Sequence, residues 1–347
     1  MNKDNTLSNV QKYYGTDLSS NADLKTSACC NIETFPRYQK DVLAKILPEI
    51  TSKYYGCGSP IPQGIDGVTI LDLGCGTGQD VYTLVKLARG TSKIIGVDMT
   101  HEQLDVAKEY QEAQMEIFGL DPKLVDFKLG QIEDLKSLGI EDDSIDIVVS
   151  NCVLNLAHDK EEVFKEILRV LKPGGELYFA DVYSDRRIPM DLQKDPVLYG
   201  ECLSGALYDQ DFRRLLLRNG INDFREVKRS KIDLTDPDII NKIGHINFTS
   251  ITYRVFNIEL EDKCEEYGQM VRYLGQHSHM PHQFELDNHH LFQTMKWESV
   301  CSNTYDMLKK TRLAKYFEFQ GDTSIHYGIF GGCYEDDSAS ADSGSCC

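Results

Sequence analysis

An α/β fold, with helices on both faces of a mostly parallel sheet, is predicted by three features. Short apolar runs of strand length recur along the chain, helical periods of apolar residues separate them, and a glycine-rich turn closes the first run. A sheet buried on both faces needs near-continuous apolar strands, and these runs have that composition.

Residues 1–60 come before the alternation and read as an N-terminal lid segment. They hold a helical stretch near 38–53 and a repeated turn, Tyr13-Tyr14-Gly15 and Tyr54-Tyr55-Gly56. The runs VTILDLG, KIIGVDM, LVDFKLG, SIDIVVSN and GELYFADV then fall within a domain spanning 61–225. Between them Val81, Leu84, Val85 and Ala88, then Leu104, Ala107 and Tyr110, then Val163, Ile167, Leu168 and Leu171 keep helical spacing. Leu171-Lys172-Pro173-Gly174-Gly175 is a helix stop, a basic residue followed by Pro and Gly. After about Arg225 the alternation fails. SITYRVFNI and MVRYLG read there as strands of a smaller C-terminal α+β domain over 226–333. The acidic, small-residue stretch 334–347 has too little apolar surface to fold and is expected to be disordered.

The net charge of −18 opposes nucleic acid and acidic membrane surfaces, which attract clustered Lys and Arg, so neither is an expected partner. No apolar stretch approaches a signal core or the roughly 18 residues of a membrane span, which points to a soluble protein of the cytosol. In that compartment the 11 cysteines should be reduced thiols rather than a disulfide framework.

Asp72-Leu-Gly-Cys-Gly-Thr-Gly78 links the first strand to a helix, where Gly74, Gly76 and Gly78 let backbone turn tightly and approach a ligand. The spacing is G-x-G-x-G rather than the dinucleotide G-x-G-x-x-G. The second strand ends at Asp98, 26 residues beyond Asp72, beside Met99. A carboxylate there can accept both hydroxyls of a ribose. Ile132 and Glu133, after the third strand, suit the face and the amino edge of an adenine, and Asn151 closes the fourth strand.

Together these positions resemble the class I methyltransferase family over roughly 68–182, giving a Rossmann-like domain with the C-terminal α+β unit appended. The resemblance implies S-adenosylmethionine at Asp72, Gly74, Gly76, Gly78, Asp98, Met99, Ile132, Glu133 and Asn151, with Tyr13 and Tyr14 as a lid over its methionine end.

Four cysteines stand where a methyl acceptor belongs: Cys29 in the lid, Cys57 in YYGCG, Cys152 directly after the fourth strand, and Cys202 in GECLSGALY. Thiolates select soft centres, and separations of 28, 95 and 50 residues match no zinc motif, so no structural metal is expected. YYGCG, VVSNCVLNL, GGELYFADVY and GECLSGALY, in that order, resemble the arsenite methyltransferase family. That resemblance implies trivalent arsenic as substrate at Cys29, Cys57, Cys152 and Cys202, delivered as a glutathione or other thiol conjugate. It also implies methylated arsenicals, from mono- towards trimethylated, as products. Each methylation would be followed by reduction through a disulfide, with Cys29 and Cys57 the candidate pair and thioredoxin or glutathione the final reductant. The adjacent Cys30 leaves the lid position ambiguous by one residue.

Cys75, within the glycine loop, reads as packing. His277, His279, His282, His289 and His290 lack metal-ligand spacing. Asp181 and Glu201 suit either polarisation of the site or local pairing, and Cys346-Cys347 read as tail. Two rival functions stay open: methylation of a small organic acceptor, and noncatalytic metalloid binding.

Overall fold

The computed structural model describes residues 35–331. Tyr13, Tyr14, Cys29, Cys30, Cys346, Cys347 and the tail expectation lie outside them.

The five expected runs form β1 (Thr69–Leu73), β2 (Lys93–Asp98), β3 (Val125–Leu129), β4 (Ile145–Asn151) and β5 (Leu171–Ser184). They pair in parallel in the order β3-β2-β1-β4-β5. The chain therefore reverses its winding between β1 and β4. At such a point the loops leaving the carboxyl ends of the strands diverge and open a crevice. A short β6 (Leu207–Tyr208) extends the parallel pairing beyond β5.

The helical periods fold as spaced except at Leu171, which opens β5 instead of ending its helix. Val81, Leu84, Val85 and Ala88 are fully buried along helix Gln79–Leu87. Helix Lys160–Val170 buries Val163, Ile167 and Val170, and the Asp159 carboxylate caps it by accepting from the Glu162 backbone N–H. The stretch near 38–53 is two helices, Arg37–Leu43 and Pro48–Thr51, with Pro48 as the first residue of the second. Val42, Ile46 and Ile50 pack with Ile70, Val81 and Val85. The segment thus belongs to the core of the sheet domain as well as to its approach.

One expectation is corrected at the C-terminal side. SITYRVF forms β8 (Phe248–Phe256), which lies antiparallel between β5 and β7 (Arg225–Ile232) in the main sheet, not in the smaller unit. The anticipated boundary near Arg225 therefore falls inside the sheet. MVRY does lie in a separate sheet, as β9 (Met270–Tyr273) between β10 (Trp297–Ser299) and β11 (Phe317–Gln320). Arg254 on β8 ties the main sheet to the C-terminal segment: its Nε donates to Glu176 on β5, and its Nη1 donates 2.6 Å to the carbonyl of Leu286, a residue outside both sheets.

Candidate active site at the carboxyl ends of the strands

A cleft of about 930 Å³, open mouth included, sits where β1 and β4 diverge. Asp72, Gly74, Gly76, Asp98, Met99, Ile132, Glu133, Asn151 and Cys152 all line it. Residues separated by up to 80 positions thus meet because their strands end on one side of the sheet. Gly78 is the exception. It begins helix Gln79–Leu87 in a left-handed turn, and a Cβ on it would lie 2.8 Å from the Phe127 ring. Packing and helix entry both require glycine there.

At Gly74 (φ 72°) a Cβ would overlap the Val153 side chain at 2.2 Å, so glycine is needed for the loop to pass beneath the residue after Cys152. The Gly76 backbone N–H donates 2.9 Å to Asp98 Oδ2, and the Thr100 N–H donates 2.8 Å to Oδ1. The Thr100 hydroxyl and the Met99 backbone N–H donate to the same carboxylate, so a ribose hydroxyl would share or replace one of these donors. Burial raises the Asp98 carboxyl while these backbone donors hold it down.

The cleft is acidic. Burial pushes Asp72 well above the carboxylate range, and the charges of Asp80 and Asp98 add to it. Asp80 rises to about 6 through burial, opposed by hydrogen bonds from Asn151 and Tyr54. Crowded, desolvated carboxylates invite a cation. S-adenosylmethionine carries an ammonium and a sulfonium, so the donor set fits it, with the apolar Ile132 and Met99 available to an adenine.

A pH dependence follows. Because Asp80 is raised, its protonated form favours the unliganded fold, and that contribution fades as pH climbs from the ordinary carboxyl range through about 6. A cationic ligand favours the ionised form, so cofactor affinity should climb by up to about tenfold per unit approaching pH 6 and level off above it. Calorimetric titration in buffers of different ionisation enthalpy should show proton release on binding near pH 6. Affinity indifferent to pH would remove Asp80 from the linkage.

The thiols meet at the edge of this cleft. Cys57 and Cys152 are joined by a disulfide, their Cα atoms 5.8 Å apart. Cys202 is fully buried, and its Sγ donates 3.5 Å to the Cys152 carbonyl. Cys152 and Cys202 both hold a left-handed backbone, at φ 58° and 59°. Such backbone costs a non-glycine residue of order 1 kcal/mol or more and clusters at functional sites. The expectation of reduced thiols is corrected here: Cys57 is bonded to Cys152 where the YYGCG loop is drawn onto the end of β4. Cys29, its expected partner, lies outside the described residues.

That attachment is made by Asn151, expected as a cofactor contact. Its Oδ1 accepts from the backbone N–H groups of Cys57 (3.0 Å) and Gly58 (3.1 Å), while its Nδ2 donates 3.0 Å to Asp80 Oδ2. Its amide holds the thiol loop. Sequence reasoning passed over Asp80, although its place in the first turn after the glycine loop is a usable signal. It also passed over Tyr54, whose hydroxyl reaches Asp80 at 3.3 Å and the Gly58 carbonyl at 3.1 Å.

Asp181 does not line the cleft. Buried and raised to about 6, it accepts from the Asn155 N–H at 3.0 Å and from Asn155 Nδ2 at 2.7 Å, bracing the turn that follows Cys152. Glu201 is buried beside Cys202. Cys75 packs in the core, and burial pushes its thiol well up. His279 stacks on Tyr38 with ring centroids 4.4 Å apart, and among the described residues no set of three or more metal-ligating side chains converges. No described helix is long and apolar enough to cross a membrane.

Comparison with known proteins agrees with this geometry. A family model described as a methyltransferase domain matches residues 65–220. An arsenite methyltransferase of Aquipseudomonas alcaligenes is 47% identical over 344 residues, 97% of this chain and 99% of that protein. The human arsenite methyltransferase is 37% identical over 309 residues, 89% of this chain and 82% of its own length. The crystal structure of an arsenic(III) S-adenosylmethionine methyltransferase from Chlamydomonas reinhardtii superposes with a TM-score of 0.82 at 42% identity. It covers 86% of this chain and 100% of that one.

Proposed function

The chain belongs to the arsenite methyltransferases, and from that premise we propose how its thiols and its acidic cleft divide the reaction between them. It is an S-adenosylmethionine-dependent enzyme acting on trivalent arsenic. Asp98 holds the ribose, Ile132 and Glu133 the adenine, and Asp72 with the backbone at Gly74 and Gly76 the cationic methionine end. Bound there, S-adenosylmethionine supplies an electrophilic methyl group, which the arsenic lone pair takes up with loss of two electrons from arsenic.

The protein's part is alignment. Arsenic arrives as a glutathione or similar conjugate and exchanges onto Cys152 and Cys202, with Cys57 as a third ligand when inorganic arsenite is bound; Cys29 is the further candidate. No proton has to be removed from arsenic, so fixing the lone pair towards the cleft supplies much of the acceleration. Two thiolates then return the two electrons by becoming a disulfide. The Cys57–Cys152 pair can do this at the site itself. Thioredoxin or glutathione regenerates the dithiol, a cycle suited to the reducing cytosol.

The Cys57–Cys152 pair at the rim of the cofactor cleft, with Cys152 lining it and the Cys202 sulfur against the Cys152 carbonyl, supports this reading. Reduced protein should displace glutathione from its arsenite conjugate, and protein holding the Cys57–Cys152 disulfide should displace much less. Equal displacement by both forms would exclude these thiols as the ligands.

A further inference from the structure

The loop that carries Cys57 has no covalent tether to the cleft when its disulfide is reduced, yet polar contacts hold it: the Ser250 hydroxyl donates 3.1 Å to the Cys57 carbonyl from one side, and a cluster that lines the cleft holds it from the other. Tyr54, Asp80 and Asn151 form a closed set. Asn151 Nδ2 donates to Asp80 Oδ2 at 3.0 Å and to the Gly58 carbonyl at 2.9 Å. The Tyr54 hydroxyl lies 3.3 Å from the same Asp80 oxygen. Asn151 Oδ1 takes the N–H groups of Cys57 and Gly58. The fit leaves no slack: a Cβ on Gly56 would fall 2.4 Å from both Asn151 Nδ2 and the Tyr54 hydroxyl.

An amide has two ends, and what faces them decides which way it points. Ionised Asp80 can only accept, so it turns the NH2 end of Asn151 towards itself and thereby aims the carbonyl end at the Cys57 and Gly58 N–H groups. Tyr54, Asp80 and Asn151 all line the cofactor cleft, so a cation entering it acts on the same carboxylate that orients the amide.

We propose that Tyr54, Asp80 and Asn151 are positioning residues that couple occupancy of the cofactor cleft to the placement of Cys57 against Cys152. The two sites then share a coupling free energy, and by linkage each must favour the other. A cationic cofactor fixes the loop, and a fixed loop raises the effective concentration of the Cys57 thiol at Cys152. Its relevance to arsenic rests on the function proposed above, where Cys57 is a ligand and an electron donor.

The test contains no arsenic. The protein is equilibrated in a glutathione redox buffer, in which its dithiol and glutathione disulfide exchange for the Cys57–Cys152 disulfide and two glutathione molecules. The bonded fraction is read by mass spectrometry after alkylation. S-adenosylmethionine should shift this equilibrium towards the protein disulfide by about tenfold, and S-adenosylhomocysteine, which keeps the ammonium but lacks the sulfonium charge, should shift it less. Asp80→Asn, which is isosteric but presents an amide to an amide, and Tyr54→Phe should each cut the shift to about twofold or below at saturating cofactor. Tyr54→Phe keeps the buried ring and serves if Asp80→Asn folds poorly. A wild-type equilibrium indifferent to the cofactor, or a full shift in both folded variants, would overturn the coupling. Failure to methylate arsenite would leave this equilibrium measurable, so the two readings fail separately.

Discussion

Cys152→Ser and Cys202→Ser are each expected to abolish methylation of both arsenite and monomethylarsenite, by about a thousandfold or more. Cys57→Ser should spare monomethylarsenite when excess small thiol is present as reductant. Monomethylarsenite has two exchangeable positions, so two thiolates saturate it, whereas arsenite has three and calls on a third. The shared pair is assigned to Cys152, which lines the cleft, and to Cys202, whose sulfur contacts the Cys152 backbone. Cys57 lies on a loop held by hydrogen bonds, so its thiol is the accessory one. Cys29→Ser is expected to behave as Cys57→Ser does. Serine is nearly isosteric but a hard, weakly acidic ligand, and losing the alignment of a bound reactant removes much of an effective molarity that reaches about 10⁵ M or more. Product speciation for each variant with each substrate, alongside a thermal melt, checks this. Full activity of Cys152→Ser on monomethylarsenite would reverse the assignment.

Asp98→Ala should weaken S-adenosylmethionine by about 1.5–3 kcal/mol, roughly ten- to a hundredfold, while arsenite binding to the reduced thiols is nearly unchanged. Two causes combine. The ribose loses a charged acceptor, and the Gly76 and Thr100 N–H groups lose the carboxylate that fixes the glycine loop. Isothermal titration of each ligand separates them. Cofactor affinity equal to wild type would show that the ribose lies elsewhere.

Much of this site was legible because its residues sit at strand ends. Asp72, Asp98, Ile132 and Asn151 could be placed from the apolar runs that precede them, and a parallel sheet brings such positions together whatever their separation in the chain. The position of β8 was not legible. Its composition suits a buried strand of either sheet, and nothing local reveals that it returns antiparallel beside β5. The duty of Asn151 was hidden for a related reason: its partners, the Cys57 and Gly58 N–H groups, stand more than 90 residues away on a loop with no periodicity. The left-handed backbone at Cys152 and Cys202 had no sequence signal either, since neither is glycine or asparagine. The packing around Gly78 was not legible, because a glycine needed for helix entry looks the same in sequence as one that admits a ligand.

The most direct test is product speciation by the wild-type protein supplied with arsenite, glutathione, thioredoxin and S-adenosylmethionine labelled in its methyl group. Labelled methylarsenicals should accumulate, with one S-adenosylhomocysteine formed for each new arsenic–carbon bond. Protein that binds the cofactor, is fully reduced and still leaves all the arsenite inorganic would contradict the assignment of arsenic as the methyl acceptor.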